Sequence, residues 1–353
     1  MRLEGNPSIG SFPDRFAFLR FPLIFLVVWI HADNRDIWTH QGMGILQIQS
    51  EFAKWIRFFW SQGVARVAVP LFFAISGYLF FLDFDGSLAS LLRKWKSRFG
   101  TLVIPYVAWS LLLLVLVSLF KGINPWDQGT WYVFNKVFGI TLNTYVFQFW
   151  FLRDLILFVI LAPLWNVCLR TMPVATLLLL GFWNLVFPSY FPLPASVGAF
   201  YFYFGALLAS RNWQGSPLDQ NPLLWLLAYG VLAVLDSLDR GNPWSRSLHD
   251  VAMFVGCGAF LVLAGILNRY QSDKLSRLFL WLAPSSFFLY AAHEPLVRYT
   301  RLALSRWAQS FLDSSGFVLY VVPPLLITAL CLALYFLVVR KFAWMRLVFT
   351  GGR

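Results

Sequence analysis

The segment Arg20-Phe-Pro-Leu-Ile-Phe-Leu-Val-Val-Trp-Ile-His31 sets an arginine and a histidine at the two ends of an uncharged apolar run. On a helix rising about 1.5 Å per residue they stand about 16 Å apart along the axis, half the thickness of a hydrocarbon core. Imidazole is the side chain whose ordinary pKa suits a general base near neutral pH, and it is also a nucleophile. Guanidinium is a permanent cation that grips phosphates. Further ionisable groups sit in other apolar runs: Arg66 at the start of RVAVPLFFAISGYLF, Arg153 and Asp154 in FWFLRDL, and His293 and Glu294 in FFLYAAHEPL. A charge inside a membrane segment is expensive and by default functional.

Each of these also has a structural reading. Arg153 and Asp154 are adjacent, so on a helix they point apart and are expected to pair with neighbouring helices rather than with each other. His293 and Glu294 precede Pro295 and read equally well as a helix end reaching for the interface. Pro70, Ser76 and Gly77 imply a kinked, closely packed helix, an ordinary feature of membrane bundles. The combination across four helices, with ionisable groups at similar depth, favours a site.

The composition fixes the solvent these elements meet. Of 353 residues, 59% are hydrophobic and 12% charged, with 17 Trp and 37 Phe, which is the signature of an integral membrane protein. The formal net charge of +12 lies mostly in short connections, where it sets orientation, and no compact basic domain points to nucleic acid. Cys168, Cys257 and Cys331 fall in or beside apolar runs and imply buried thiols rather than a disulfide framework. His40 and His249 stand isolated, no ligand cluster is visible, and no metal is expected.

Apolar runs near residues 16–32, 64–82, 101–120, 146–168, 174–188, 196–210, 222–236, 248–267, 279–297 and 318–339 predict an all-α integral membrane protein, a bundle of about ten transmembrane helices. The chain reads as a single domain over 1–353. Its longest loop, 32–63, is expected outside, with an amphipathic piece near 52–60 along the interface, and 340–353 forms a short basic tail. No cleavage site follows the first run, so that helix is expected to stay. The basic segment Arg93-Lys-Trp-Lys-Ser-Arg98 is hard to translocate and places both termini in the cytoplasm.

With these motifs in this order, the chain resembles the acyltransferase-3 family of bacterial membrane O-acyltransferases that modify surface polysaccharides, in its short form without a fused soluble domain. The resemblance rests on Arg20-x10-His31, on 66–80, on the basic loop leading to TLVIPYVAWS at 101–110, on 149–155, on YFYFGALLA at 201–209 and on 287–296. It implies transfer of an acyl group, commonly acetyl from acetyl-CoA, to a sugar hydroxyl of an exported polysaccharide or lipid-linked precursor. The setting would be the bacterial inner membrane, with acyl-CoA, glycan acceptor and lipid as partners.

It makes Arg20 and His31 the residues needed for activity, His31 as general base and Arg20 for the donor. Arg93, Lys96 and Arg98 are assigned to the CoA phosphates, although the family's Arg-x-x-Arg appears here with Lys96 in the second place. Arg66, Trp150, Arg153, His293 and Glu294 are assigned to the acceptor, with Pro70, Ser76, Gly77, Asp154 and Tyr290 shaping the packing around them. The rival reading is a transporter or flippase using the same charges, but the halves show no matching broken helices.

Overall fold

The computed structural model describes residues 12–32, 51–122, 124–187, 194–213, 216–238, 244–270, 273–308 and 316–353. Every regular element among them is helical. In chain order these are α1 (Phe12–Ala32), α2 (Glu51–Phe58), α3 (Ala68–Phe81), α4 (Leu88–Arg98), α5 (Ile104–Lys121) and α6 (Thr130–Phe138). Then come α7 (Trp150–Ile160), α8 (Ala162–Thr171), α9 (Pro173–Val186), α10 (Ser196–Ser210), α11 (Ser216–Gln220) and α12 (Pro222–Leu238). The last are α13 (Ser245–Tyr270), α14 (Asp273–Leu282), α15 (Ser286–Ala308), α16 (Gly316–Leu337) and α17 (Ala343–Thr350).

Six helical stretches among the described residues are long and apolar enough to cross a membrane, or seven if α7 and α8, bent by 63°, count as one broken span. The remaining apolar helices α9, α10 and α12 have 14, 15 and 17 residues, about 21–26 Å at 1.5 Å per residue, which falls short of a 30 Å core. Of the ten expected crossings, six or seven meet this test of length and composition among the described residues.

Three segments expected outside the spans are helical. The interfacial piece near 52–60 is joined to the span that follows it, so that Lys54–Phe81 runs as one helical stretch through a π-turn at Phe59–Val64 and a 3-10 turn at Ala65–Val67. Pro70 lies in the first turn of α3, so the expected irregularity falls upstream of it. The reason is that its ring crowds the carbonyl four residues earlier and it donates no hydrogen bond. The basic segment 93–98 lies on α4, which continues into α5, and the basic tail carries α17, docked on α5 through Trp109 Nε1 donating to Phe349 O at 3.0 Å. Ser87 starts α4 by accepting from Ser90 N, and its own N–H bonds Asp85 Oδ1 at 2.7 Å, which holds that carboxyl below its ordinary range. Residues 33–50 of the long loop, His40 among them, lie outside the described residues.

The chain divides into two compact units. The first comprises Met1–Leu71, Asn212–Ser286 and Val297–Leu326; the second comprises Phe72–Arg211, Phe287–Leu296 and Ile327–Arg353. In the first unit α1 packs against α13, α14 and the 59–67 turns. Its middle, between Arg20 and His31, is apolar all round and mostly buried, with Leu23 and Val28 fully enclosed. Arg15, in its first turns, is buried and donates to both oxygens of Asp219 at 2.9 and 2.5 Å and to Leu261 O at 3.3 Å. At the other end of α1, Ser61 bonds Trp29 O at 3.2 Å and Tyr320 OH at 2.6 Å.

In the second unit α3 and α10 cross backbone to backbone. A Cβ on Gly77 would overlap the carbonyl oxygen of Phe202, and one on Gly205 would overlap that of Ala74. The crossing is reciprocal, so each glycine makes room for the other helix's main chain.

Gly77→Ala and Gly205→Ala should each lower stability by about 1–3 kcal/mol, at the upper end because the obstacle is backbone. Gly230→Ala, with nothing within 4 Å of the new Cβ, should leave it unchanged or improved. Thermal unfolding in detergent reads all three. Asp219→Ala, which leaves the Arg15 charge buried, should cost about 3–5 kcal/mol in the same measurement.

Candidate functional site

Arg20 and His31 both lie on α1. Eleven steps of about 100° make three turns and roughly 20°, so the two side chains share one face of the helix, about 16 Å apart. Between them that face carries Ile24 and Val27, at 6% and 4% exposure. Arg20 is exposed and, among the described residues, makes no hydrogen bond or ion pair. His31 is half-buried in the last turn. On this one helix, then, Arg15 is bonded to Asp219 while Arg20 is exposed. Arg66 belongs to the same unit, on the 3-10 turn that packs against α1, and its Nε donates to Gln62 Oε1 at 2.9 Å.

The second unit holds Trp150, Arg153, Asp154, Tyr290, His293 and Glu294, on α7 and α15. Three bonds dock the approach to α7 onto α15: Tyr290 OH donates to Gln148 O at 2.7 Å, and Gln148 Nε2 donates to Tyr290 O and Ala291 O, each at 3.2 Å. Phe149 stacks on Tyr290 at 5.8 Å and on Tyr106 at 5.4 Å. Arg153 and Asp154 are both buried, and contrary to the expectation from their adjacency they pair with each other, Nε to Oδ1 at 2.9 Å. The flexible arginine stem bends back over one residue, and both groups still reach neighbours. Arg153 Nη1 donates to Gly139 O at 2.8 Å, and Asp154 Oδ2 accepts from Ala195 N, just before α10, at 2.7 Å. The acidic residue therefore answers both an arginine and a helix N-terminus.

His293 is fully buried, with Nδ1 2.8 Å from Tyr290 O and 3.0 Å from Leu289 O in its own helix. Those carbonyls are acceptors, so Nδ1 carries the proton and Nε2 is the acceptor of the ring. Glu294 is also buried, at 9% exposure. The helix continues through Pro295 to Ala308, so neither residue marks a helix end or reaches for the interface. Trp150 is half-buried, its ring 6.1 Å from that of Phe73.

Arg93 and Lys96 are exposed one turn apart on α4, with Arg98 half-buried two residues on. Three features had no counterpart in the sequence reading. Arg15 and its partner Asp219 both lie outside the apolar runs. Gln148 carries its docking role in a run of aromatics. His249, read as isolated, sits with Nδ1 2.8 Å from Asp236 Oδ2. A signal existed for the last: Asp236 is the one acid in the apolar run 222–238. Among the described residues no group of three or more His, Cys, Asp or Glu side chains has the arrangement of a metal site.

A family model described as an acyltransferase domain, that of the acyltransferase-3 family, matches residues 15–339. The chain is 25% identical to the succinoglycan biosynthesis protein ExoH of Rhizobium meliloti (strain 1021), over 96% of this chain and 92% of that protein. No solved structure matches significantly.

Asp154→Ala should destabilise by about 3–5 kcal/mol, because Arg153 stays buried without its carboxylate. Tyr290→Phe removes one neutral hydrogen bond and should cost about 1 kcal/mol. Chemical denaturation or thermal melts of the purified variants rank them, with Asp154→Ala expected to fall furthest.

Proposed function

Because the chain belongs to the acyltransferase-3 family, we propose that it is an O-acyltransferase moving an acyl group, acetyl from acetyl-CoA in the first instance, onto a sugar hydroxyl of an exported polysaccharide or its lipid-linked precursor. The polysaccharide half of this reading is supported by the printed name of the relative. The setting is the bacterial inner membrane, with both termini cytoplasmic.

The observation that carries the reading is the single face of α1 shared by Arg20, Ile24, Val27 and His31. A CoA thioester has an anionic nucleotide end, a long arm and a reacting carbonyl at the far tip. Arg20, exposed and unengaged, takes a phosphate at one end. His31 stands about 16 Å further along the same side of the helix, at the depth assigned to the thioester. The sugar hydroxyl gives its proton to His31 as its oxygen attacks the thioester carbonyl. The new C–O bond forms, the C–S bond breaks, and the thiolate leaves, to be protonated in its turn. One helix so brings a donor made in the cytoplasm to an acceptor across the membrane.

Arg93, Lys96 and Arg98 are assigned to the donor phosphates on charge and exposure. Arg66, Trp150, Arg153, His293 and Glu294 are assigned to the acceptor. Within that set, Arg153 is already engaged by Asp154 and Gly139, so its part is to position its surroundings, while Trp150 offers an aromatic face to a sugar ring.

The test is transfer of radiolabelled acetyl from acetyl-CoA to the host's glycan fraction by protein in lipid nanodiscs. His31→Ala should lose at least 100-fold in rate, within the range of general-base catalysis, and keep its melting temperature. Arg20→Ala should weaken CoA binding by about tenfold, the size of one charge-assisted hydrogen bond. Wild-type protein that neither binds CoA nor transfers label, from acetyl-CoA or longer acyl-CoAs, would overturn the reading in favour of transport.

A further inference from the structure

The second unit keeps a cation at membrane depth that the acyl-transfer chemistry above does not use. After α5 the chain turns at Gly122 and through a 3-10 turn at Pro125–Gln128, and α6 runs back along α5. Val133 and Val137 of α6 pack with Leu114, Val107 and Tyr145 lie against them, and Tyr106 OH donates to Phe138 O at 2.9 Å. Tyr106 is in the first turn of α5, about 22 Å along the axis from its far end. The chain then continues in the same direction through α7, where Val159 O accepts from Trp95 Nε1 of α4 at 2.7 Å. So α6 and α7 together retrace the span Leu88–Phe120 in reverse, with residues 139–146 as a non-helical break inside it.

Non-helical backbone at such depth is tolerated only where protein or enclosed water satisfies it. Protein does part of this: buried Asn135 accepts with Oδ1 from Thr141 N at 2.8 Å and Thr141 Oγ1 at 3.0 Å, and Arg153 Nη1 donates to Gly139 O at 2.8 Å. Thr141 and Asn143 are exposed. Lys136, half-buried and one turn or less from Val133 and Val137, donates with Nζ to Asn143 O at 3.0 Å. That Nζ lies 5.0 Å from the centre of the Tyr145 ring and 5.5 Å from that of Tyr132, whose hydroxyls are 3.2 Å apart. Among the described residues no carboxylate pairs with it. An ammonium has three donors, and one is used here; the hydroxyl pair shares one bond and keeps one O–H to give.

We infer that Lys136, the Tyr132–Tyr145 hydroxyl pair and the 139–146 break form a water-accessible site for an anionic oxygen group, a phosphate or carboxylate carried by the acceptor. That the anion belongs to the acceptor rests on the transferase reading above; that the break is wet and draws anions does not. A lysine at this depth is costly unless water or an anion answers it. One serving lipid contact would run its stem out to the interface, whereas this ammonium is held on a carbonyl between two rings. The spare capacity of the opening is all of one kind, donors on and beside a cation, which is what an anionic oxygen needs. Arg153, already assigned to the acceptor side, bonds the same break through Gly139 O and so sets the site beside that group.

Thiol labelling in nanodiscs tests the site without catalysis. Asn143→Cys keeps the main-chain carbonyl that Lys136 uses, and its thiol is reacted with an anionic and with a cationic methanethiosulfonate. Wild type, whose three cysteines are half-buried or buried, gives the background, and Leu111→Cys on the exposed face of α5 gives a lipid-facing control. The Asn143→Cys thiol should react at least about tenfold faster than the control, because only a wet thiol ionises. Adding Lys136→Gln should lower the ratio of anionic to cationic rates about fivefold, and Lys136→Arg should keep it. A rate no faster than the control, or a ratio unmoved by Lys136→Gln, overturns the site. Were Lys136→Gln not to fold, salt decides: between about 20 and about 500 mM the ratio for Asn143→Cys alone must fall at least about twofold. Acidic oligosaccharides from the host's exopolysaccharide and a polyprenyl phosphate in the disc are then added separately. Slower labelling with the first identifies a glycan carboxylate, with the second a lipid-linked phosphate, and protection by neither overturns the acceptor assignment. In the transfer assay Lys136→Gln should raise the acceptor KM about tenfold, the size of one charge-assisted hydrogen bond, and leave kcat within about twofold. Charge-selective labelling of a protein that transfers nothing would sink the acyl-transfer reading and leave the anion site standing.

Discussion

A charge placed in an apolar helix bundle must be answered by a partner, and the arrangement of this protein follows from how each one is answered. Arg15 is closed by both oxygens of Asp219 and a carbonyl of α13. Arg153 is closed by Asp154 and by Gly139 O, and Asp154 in turn satisfies the backbone just before α10. These groups repay their desolvation with several bonds each, and removing one member strands the other. They fix the helices that they join.

Seen against those closed pairs, the groups left partly open are the informative ones. Arg20 is on the same helix as Arg15 but turned away from it, exposed and unengaged. A cation held there costs the fold little if it meets an anion from outside, and the face it heads runs along two buried aliphatic residues to His31. Asp236, by contrast, is enclosed and bonded to His249.

Small residues and prolines set the geometry within which this happens. Gly77 and Gly205 let two helices meet through their backbones, so α3 and α10 hold a fixed spacing that no side chain can adjust. Pro70 acts at a distance of one turn, disturbing the helix upstream and letting the 59–67 stretch adopt π and 3-10 turns. Those turns carry Ser61 to Trp29 and Tyr320, and Arg66 against α1. The docking of α7 on α15 is likewise a matter of two residues, Gln148 and Tyr290, exchanging bonds with each other's main chain.

The sequence by itself determined the solvent, the helical class and the family, because composition, apolar run length and ordered motifs are properties of the chain that survive without coordinates. It also determined that Arg20 and His31 share a helix and a spacing. It did not determine which charges are spent. Arg15 reads like Arg20 until Asp219, more than two hundred residues away, is brought to it; Arg153 and Asp154 seemed to diverge until a bent guanidinium stem joined them. His249 seemed alone until the α12–α13 hairpin set it against Asp236. Helix continuity also needed the fold: π and 3-10 turns join 52–60 to the next span where a loop was expected, and the 93–98 loop and the basic tail are helices with neighbours to bind. Pairing across long separations and the satisfaction of backbone groups are decided by which elements touch, and only the tertiary structure states that.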